Sequence, residues 1–536
     1  MKLQRFSTLI AVGTLSLFAT SANAAKFLIS FKDQNQAHAF KTQVQTHPAP
    51  GLRIADDLAE VKVMIIEAQS QDQILSMVDV KDLNFIETQK TYPTPRAQVM
   101  PTLTSNMPRM SLFNGQLPVS QGLKMISVPQ AWTMTKGAGA RVMVIDSGID
   151  KNHPVFAGRI EKVQNFTEDG GPQDVTDTEG HGTHVAGIIA AQAALEEVGV
   201  APEAKLLIAK VCGSKGCNND AVAKALLWAL REKVDVVNMS LGGGGSVPEQ
   251  FMIKQLDGEQ IPVVAAMGNN GMEATPMPAG YISVTAVGAV DMNGKRAAFS
   301  NWSPALDLMA PGVSIRSSVP RGTGRIAVAS FQNAAGEFKA LPAVTYANVP
   351  VKSLNESAVF GEFGAVGDLA NLAVTGKVLV VKRGNLPLLE KIKNAQTAGA
   401  AALVICNNDG ALVSGSLSED PNDIKIPVIM VETTSGEDLI LNLLKTETLV
   451  VRMEIQGADY AEFSGTSMSS PYVAGVVALM RSVVPGITAW KIREIMNGSA
   501  TPIKTEIANQ TGKGLVNAKA SVDGAYAVRK KYKKIK

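Results

Sequence analysis

Five apolar runs, RVMVID, KLLIAKV, VDVVNMS, IPVVAAMG and YISVTAVG, recur between residues 141 and 288, and stretches such as VVAA within them show no polar alternation. A strand that is apolar on both faces must be covered on both, which is the condition of a parallel sheet wrapped by helices. Segments with helical periodicity, THVAGIIAAQA and DAVAKALLWAL, stand between the runs and supply the right-handed crossovers that parallel neighbours require. The fold class is therefore α/β, a doubly wound and mostly parallel sheet, whose ligands gather beyond the carboxyl ends of its strands.

A chain of 536 residues holds more than this one sheet. Ahead of it, KFLISF, EVKVMIIEA and LNFIETQ read as strands, and AFKTQV and SQDQILSMVDV as helices, which together make a small unit over residues 25–92. The Pro-, Thr- and Ser-rich stretch YPTPRAQVMPTLTSNMPRM follows, an exposed linker spanning residues 93–120. Residues 320–455 change texture, with strands GKVLVVKRG, AAALVICNN and IPVIMVE and a helix, LPLLEKIKNAQTAG, that ends at a Gly suited to a C-cap. Two further helices, TSMSSPYVAGVVALMRSV and ITAWKIREIMNGSA, follow. A basic tail, residues 526–536, reads as a solvated end.

Lys and Arg total 51 against 48 Asp and Glu, a balance that argues against a nucleic-acid or membrane-surface binder. At the N-terminus, Lys2 and Arg5 precede the apolar run LIAVGTLSLFA and the small-residue site Ala22-Asn23-Ala24, the order of a secretory signal over residues 1–24. That run is about half the ~20 residues needed to span a bilayer, and no later segment reads as a membrane span. A secreted, extracellular protein is expected, and export permits disulfides. Cys212 and Cys217 stand close together in KVCGSKGCNND and are a candidate pair, whereas Cys406, ending an apolar run, reads as a buried thiol.

Four stretches carry chemistry: VIDSGI at Asp146, EGHGTHVAG at His181, AAMGNNG at Asn269 and FSGTSMSSPYVAG at Ser467. Asp146 ends a buried strand, where an ionised carboxylate is expensive unless it accepts hydrogen bonds, and an imidazole N–H can give one. Ser467 opens a helix, with its hydroxyl near backbone N–H groups and the positive end of the helix dipole. Serine is a weak nucleophile until a base takes its proton. The five histidines are His38, His47, His153, His181 and His184; two lie in the N-terminal unit, which is expected to be removed, and His153 in an exposed-looking loop, so the base comes from HGTH unless the mature protein uses no histidine. A metal pair there is disfavoured, because Gly182 follows His181 where a zinc protease carries glutamate and no further His or Cys cluster offers a third ligand.

With SLGG at Ser240 added, five stretches, DSGID, HGTHVAG, SLGG, a Gly-Asn loop and SGTSMSSP, stand in that order over residues 121–525 and resemble the subtilisin-like serine peptidases, the subtilase family. The resemblance implies a serine endopeptidase in which Asp146 orients the imidazole, His181 is general base and then acid, and Ser467 attacks the peptide carbonyl. The side-chain amide of Asn269 and the backbone N–H of Ser467 would hold the oxyanion. Ser240, Leu241, Gly242 and Gly243 would pair with substrate backbone along one edge of the cleft, and Gly213 and Gly216 along the other, where a Cys212–Cys217 bridge would stiffen the rim.

It further implies that residues 25–92 are a ferredoxin-like propeptide serving as intramolecular inhibitor. Residues 121–319 and 456–525 would be the peptidase domain, with residues 320–455 an inserted protease-associated (PA) domain. Protein or peptide substrates are the expected partners and no cofactor is required. Calcium is doubtful at the usual family site, because His153-Pro154-Val155-Phe156 replaces His-Pro-Asp-Leu, and other calcium sites stay open. Two other classes compete: an inactive binding protein that keeps the fold, against which the intact Asp146, His181, Ser467 and Asn269 argue, and a metalloprotease.

Overall fold

A computed structural model of the chain describes residues 24–94, 100–103, 119–192, 197–333, 335–346, 349–408, 411–414, 422–446, 449–504 and 509–535. Residues 1–23 of the expected signal, and most of the 93–120 linker, lie outside them. By its contacts the chain divides into two compact units, residues 1–89 and 90–536.

In the first unit, strands Ala25–Phe31, Arg53–Leu58, Val63–Ala68 and Leu83–Thr88 form an antiparallel sheet, with Ala25–Phe31 between Val63–Ala68 and Leu83–Thr88. Helix Gln34–Thr46 begins at Asp33, whose carboxylate accepts from the amides of Asn35 and Gln36 while the Gln36 side chain reaches back, a capping box. Phe27, Ile29, Phe31, Phe40, Ile66 and Ile74 close its core.

The second unit is built on seven parallel strands. In spatial order they are Leu306–Pro311, Val284–Val290, Val263–Ala266, Val236–Met239, Arg141–Asp146, Lys205–Lys210 and Ile160–Asn165. After Arg141–Asp146 the chain runs first to the sheet edge at Ile160–Asn165, comes back to lay Lys205–Lys210 between that edge and Arg141–Asp146, and then builds the other way from Val236–Met239. The order therefore reverses between Arg141–Asp146 and Val236–Met239, and the crevice at their carboxyl ends is where such sheets place ligands. Helices His181–Ala190 and Thr466–Val483 lie against the sheet; every residue of the first is buried, and every residue of the second but Ser482.

Strands Ile315–Ser318 and Tyr460–Phe463 pair antiparallel, so the inserted segment leaves and re-enters the unit side by side. Adjacent ends make a long insertion cheap in chain entropy. Between them stands an eight-stranded sheet with its own apolar core, including Phe331, Val380, Ile392, Val404, Ile429 and Met453. The basic C-terminus is not a free tail in its backbone: a helix runs over Ala518–Ile535.

Close approach fixes some small residues in this packing. A Cβ on Gly475 would lie 2.5 Å from the Cβ of Val200. Gly475→Ala is therefore expected to lower the unfolding free energy by about 1–3 kcal/mol through overpacking, measured by denaturant titration.

Candidate active site

The reversal in strand order brings the candidate residues together. Asp146 is the last residue of its strand and is fully buried. Its Oδ1 accepts from the Ser147 amide at 2.7 Å and lies 2.8 Å from His181 Nδ1. His181 is the first residue of its helix, entered through Gly180 at φ 78°, a left-handed turn that glycine allows without strain. Gly182 is required for a different reason: a Cβ there would lie 2.2 Å from the carbonyl oxygen of Gly148.

The loop ahead of the helix is fixed by Asp177. Its two oxygens accept from Ser147 Oγ, the amides of Glu179, Gly180 and Thr183, and Thr183 Oγ1. Ser147 Oγ in turn accepts from the Gly182 amide. This carboxylate escaped the sequence reading, because nothing in DTEGHGTH separates a loop-bracing aspartate from a surface one.

Burial pulls the His181 imidazole toward the neutral form, but the charge and hydrogen bond of Asp146, aided by Asp177 and Glu179, outweigh it and leave its pKa above the ordinary 6.5. His184, three residues on, goes the other way. Burial and the charge of His181 push its pKa down to about 3. Its Nε2 lies 2.9 Å from the Ile315 carbonyl and 3.2 Å from that of Ala461, and its ring stacks on Phe463 at 4.3 Å. A neutral imidazole donating to those two carbonyls braces the paired strands that lead into and out of the insertion. His153, read as exposed, is also buried, 3.0 Å from the Asp459 carbonyl and edge-on to Tyr460.

Ser467 lies in the first turn of the long apolar helix, which begins after Gly465 at φ 155°. The residue is 7% exposed and its hydroxyl donates to the Ser240 carbonyl at 3.1 Å, and the Nε2 of His181 has no hydrogen-bond partner. Ser240 Oγ donates back to the Ser467 carbonyl at 2.8 Å. Strand end and helix start are thus tied to each other. The Asn269 amide is oriented by Thr466, whose backbone N–H and Oγ1 both donate to its Oδ1, at 2.8 and 2.9 Å; Gly268 N–H donates to that same Oγ1. With Oδ1 so engaged, Nδ2 is the group presented beside Gly465.

Leu241–Gly243 follow Ser240 directly, and the Val211 N–H, one residue ahead of the Cys212–Cys217 hairpin, donates to the Asp146 carbonyl. Cys212 and Cys217 face each other across the hairpin and are joined by a disulfide; Gly213 faces Gly216. The outer hairpin strand pairs antiparallel with Thr91–Tyr92, Cys217 opposite Tyr92 and Asn218 opposite Thr91. The Tyr92 ring rests where a Cβ on Gly243 would lie, 2.5 Å from that position, and Gly243 itself exchanges backbone hydrogen bonds with Met277. Cys406 is a buried thiol whose pKa burial raises to about 12. Among the described residues, no group of three or more His, Cys, Asp or Glu side chains is placed to hold a metal ion.

A buried Asp–His pair, a serine at a helix start and an oriented amide are the parts of a hydrolase that forms an acyl-enzyme. The sequence profile of the subtilase family matches residues 137–366 and 391–520, more than half of the chain. The chain belongs to the subtilase family. Its inserted sheet carries a match to the PA domain over residues 339–439. This subtilase is similar to the intracellular serine protease of Paenibacillus polymyxa, 41% identical over 214 residues, which cover 38% of this chain and 66% of that protein. With alkaline elastase YaB of Bacillus sp. (strain YaB) it shares 32% identity over 355 residues, 65% of this chain and 87% of the relative.

Among solved structures, the psychrophilic subtilisin-like protease Apa1 of Pseudoalteromonas sp. AS-11 superposes with a TM-score of 0.54 at 27% identity, over 76% of this chain and 98% of that one. Fervidolysin of Fervidobacterium pennivorans, at 21% identity and a TM-score of 0.58, covers 94% of this chain and 61% of its own, and shares the fold.

The two histidines of this subtilase are expected to separate cleanly. His184→Ala should lower the unfolding free energy by about 3 kcal/mol, the range for emptying a buried ring site, and leave turnover measurable. His181→Ala should abolish turnover in a chain that still folds, with its unfolding midpoint lowered because the buried Asp146 carboxylate loses a partner. Thermal unfolding of each variant beside a peptide-hydrolysis assay checks both.

Proposed function

We propose that this subtilase is a secreted serine endopeptidase that cleaves extracellular proteins through an acyl-enzyme and is made as an autoinhibited precursor. The observation that carries the chemistry is the 2.8 Å contact between two fully buried groups, Asp146 Oδ1 and His181 Nδ1. A carboxylate on Nδ1 fixes the tautomer in which Nε2 is unprotonated and basic, and it stabilises the imidazolium that forms when Nε2 takes a proton. In this reading the Ser467 hydroxyl turns from the Ser240 carbonyl to Nε2, gives up its proton and attacks the substrate carbonyl. The negative charge that develops on the carbonyl oxygen is met by the Asn269 Nδ2–H and the Ser467 backbone N–H, the amide being worth on the order of 3 kcal/mol in the transition state. The imidazolium then protonates the departing amine, and water activated by His181 releases the acyl group.

Export rests on the Lys2, Arg5, LIAVGTLSLFA and Ala22-Asn23-Ala24 order and is supported by the Cys212–Cys217 disulfide, a bond of oxidising compartments. No helix among the described residues is long and apolar enough to cross a membrane. Autoinhibition is supported by Thr91–Tyr92, an extended segment of the chain itself, lying on the hairpin and glycine rim where substrate backbone would pair. Residues 25–92 would then act as the inhibitor until the linker is cut.

Ser467→Ala should accumulate as unprocessed precursor and lose casein hydrolysis by about 10⁶-fold. A variant that cut casein as fast as the wild type would disprove the serine mechanism. The pH dependence follows from His181. Its raised pKa keeps the imidazole protonated, and so useless as a base, to a higher pH than a free histidine; kcat/KM should therefore climb with pH through one ionisation above 6.5. A profile already flat at pH 6.5 would contradict the assignment.

A further inference from the structure

The linker after Tyr92 makes a second contact, with the inserted domain. Met100–Leu103 pairs antiparallel with Ala411–Ser414, Leu103 opposite Ala411 and Met100 opposite Ser414. Among the described residues, Ala411–Ser414 belongs to no other ladder: the domain's remaining described strands form the eight-stranded sheet, and this pair is a two-stranded sheet of its own. Without Met100–Leu103, its outward N–H and C=O groups face an open edge, a template for another extended chain.

The pairing is also weakly made. It is four residues long, and Pro101, opposite Val413, has no N–H to give. A short strand lacking one donor suits an occupant that is to be exchanged.

The order along the chain gives the occupant its identity. Thr91–Tyr92 lies on the cleft rim, and Met100 follows eight residues later at Ala411–Ser414. Eight extended residues reach at most roughly 28 Å, so a single polypeptide touches both places. A protein substrate whose acyl-side residues replace Thr91–Tyr92 sends its leaving-group side the same way.

We propose that Ala411–Ser414 is a strand-addition site on the PA domain that takes the leaving-group side of an extended protein substrate, held by the enzyme's own linker in the precursor. Recognition is through backbone hydrogen bonds and so tolerates many sequences. The inference rests on the peptidase reading above, and it gives the inserted domain a part in turnover of long substrates alone.

The test uses the mature enzyme with two substrates: a chromogenic peptide anilide that ends at the scissile bond, and the same peptide extended by twelve residues beyond it. Amide directions alternate along a strand, so one of Leu412→Pro and Val413→Pro removes a ladder donor. That variant should lower kcat/KM for the long peptide about three- to tenfold, mainly through KM, as loss of one or two hydrogen bonds predicts, with the anilide unchanged within about twofold. N-methylation of the long peptide's amides six to twelve residues past the scissile bond should produce the same loss on the wild-type enzyme, without any change to the protein fold. Equal turnover of methylated and unmethylated long peptides by the wild type would overturn the site. So would a loss that falls equally on the anilide and the long peptide. Failure of the wild type to hydrolyse the anilide would instead count against the peptidase reading.

Discussion

A carboxylate with no exposure to water, at the end of a strand apolar on every side, is the constraint on which the rest of this molecule turns. Asp146 is tolerated there because the Ser147 amide and the His181 ring answer its Oδ1. For His181 to be in place, its helix must start at one position beside that strand. Gly180 and Gly182 permit it: one by a left-handed turn, the other by leaving room for the Gly148 carbonyl. Asp177, with five hydrogen bonds from four residues of the site, fixes the loop in between. The buried charge that is costly for stability is the same charge that keeps the imidazole basic.

The parallel sheet converts this local arrangement into a site made from distant parts of the chain. Asp146 ends one of the two strands between which the order reverses and Ser240 follows the other, Asn269 follows the next, and Ser467 arrives on a helix buried along nearly its whole length. The Ser467–Ser240 pair of hydrogen bonds joins helix to strand end, and the Thr466–Asn269 pair sets which face of the amide looks out. The inserted domain hangs on two adjacent strands held by neutral His184, so it can be present without breaking the sheet.

Much of this was legible in the sequence, for physical reasons. Strands buried on both faces announce themselves by unbroken apolar runs, and the Ser467 helix was readable to its bounds because almost every residue in it is buried. The edge strand Ile160–Asn165, with two exposed charged residues, and the strand Arg53–Leu58, with two aspartates, carry no such mark and were not read. The pairing of Ile315–Ser318 with Tyr460–Phe463 was hidden because its partners are separated by the whole insertion. His153 looked exposed beside a proline, yet its ring meets a carbonyl and a tyrosine far along the chain. The His181–Asp146 pairing was inferred from residue chemistry and a resemblance; the Ser467 hydroxyl resting on Ser240 could not have been, since a rotamer choice leaves no trace in sequence.

Labelling of the mature protein with a fluorophosphonate, followed by peptide mass spectrometry, reads out whether His181 activates Ser467. The reagent phosphonylates a serine only when a neighbouring base removes its proton. One adduct per chain is expected, on Ser467, formed at a rate that His181→Ala reduces by several orders of magnitude; activation of Ser467 by His181 requires both. An adduct on another residue, or labelling of Ser467 that is indifferent to His181→Ala, would contradict it.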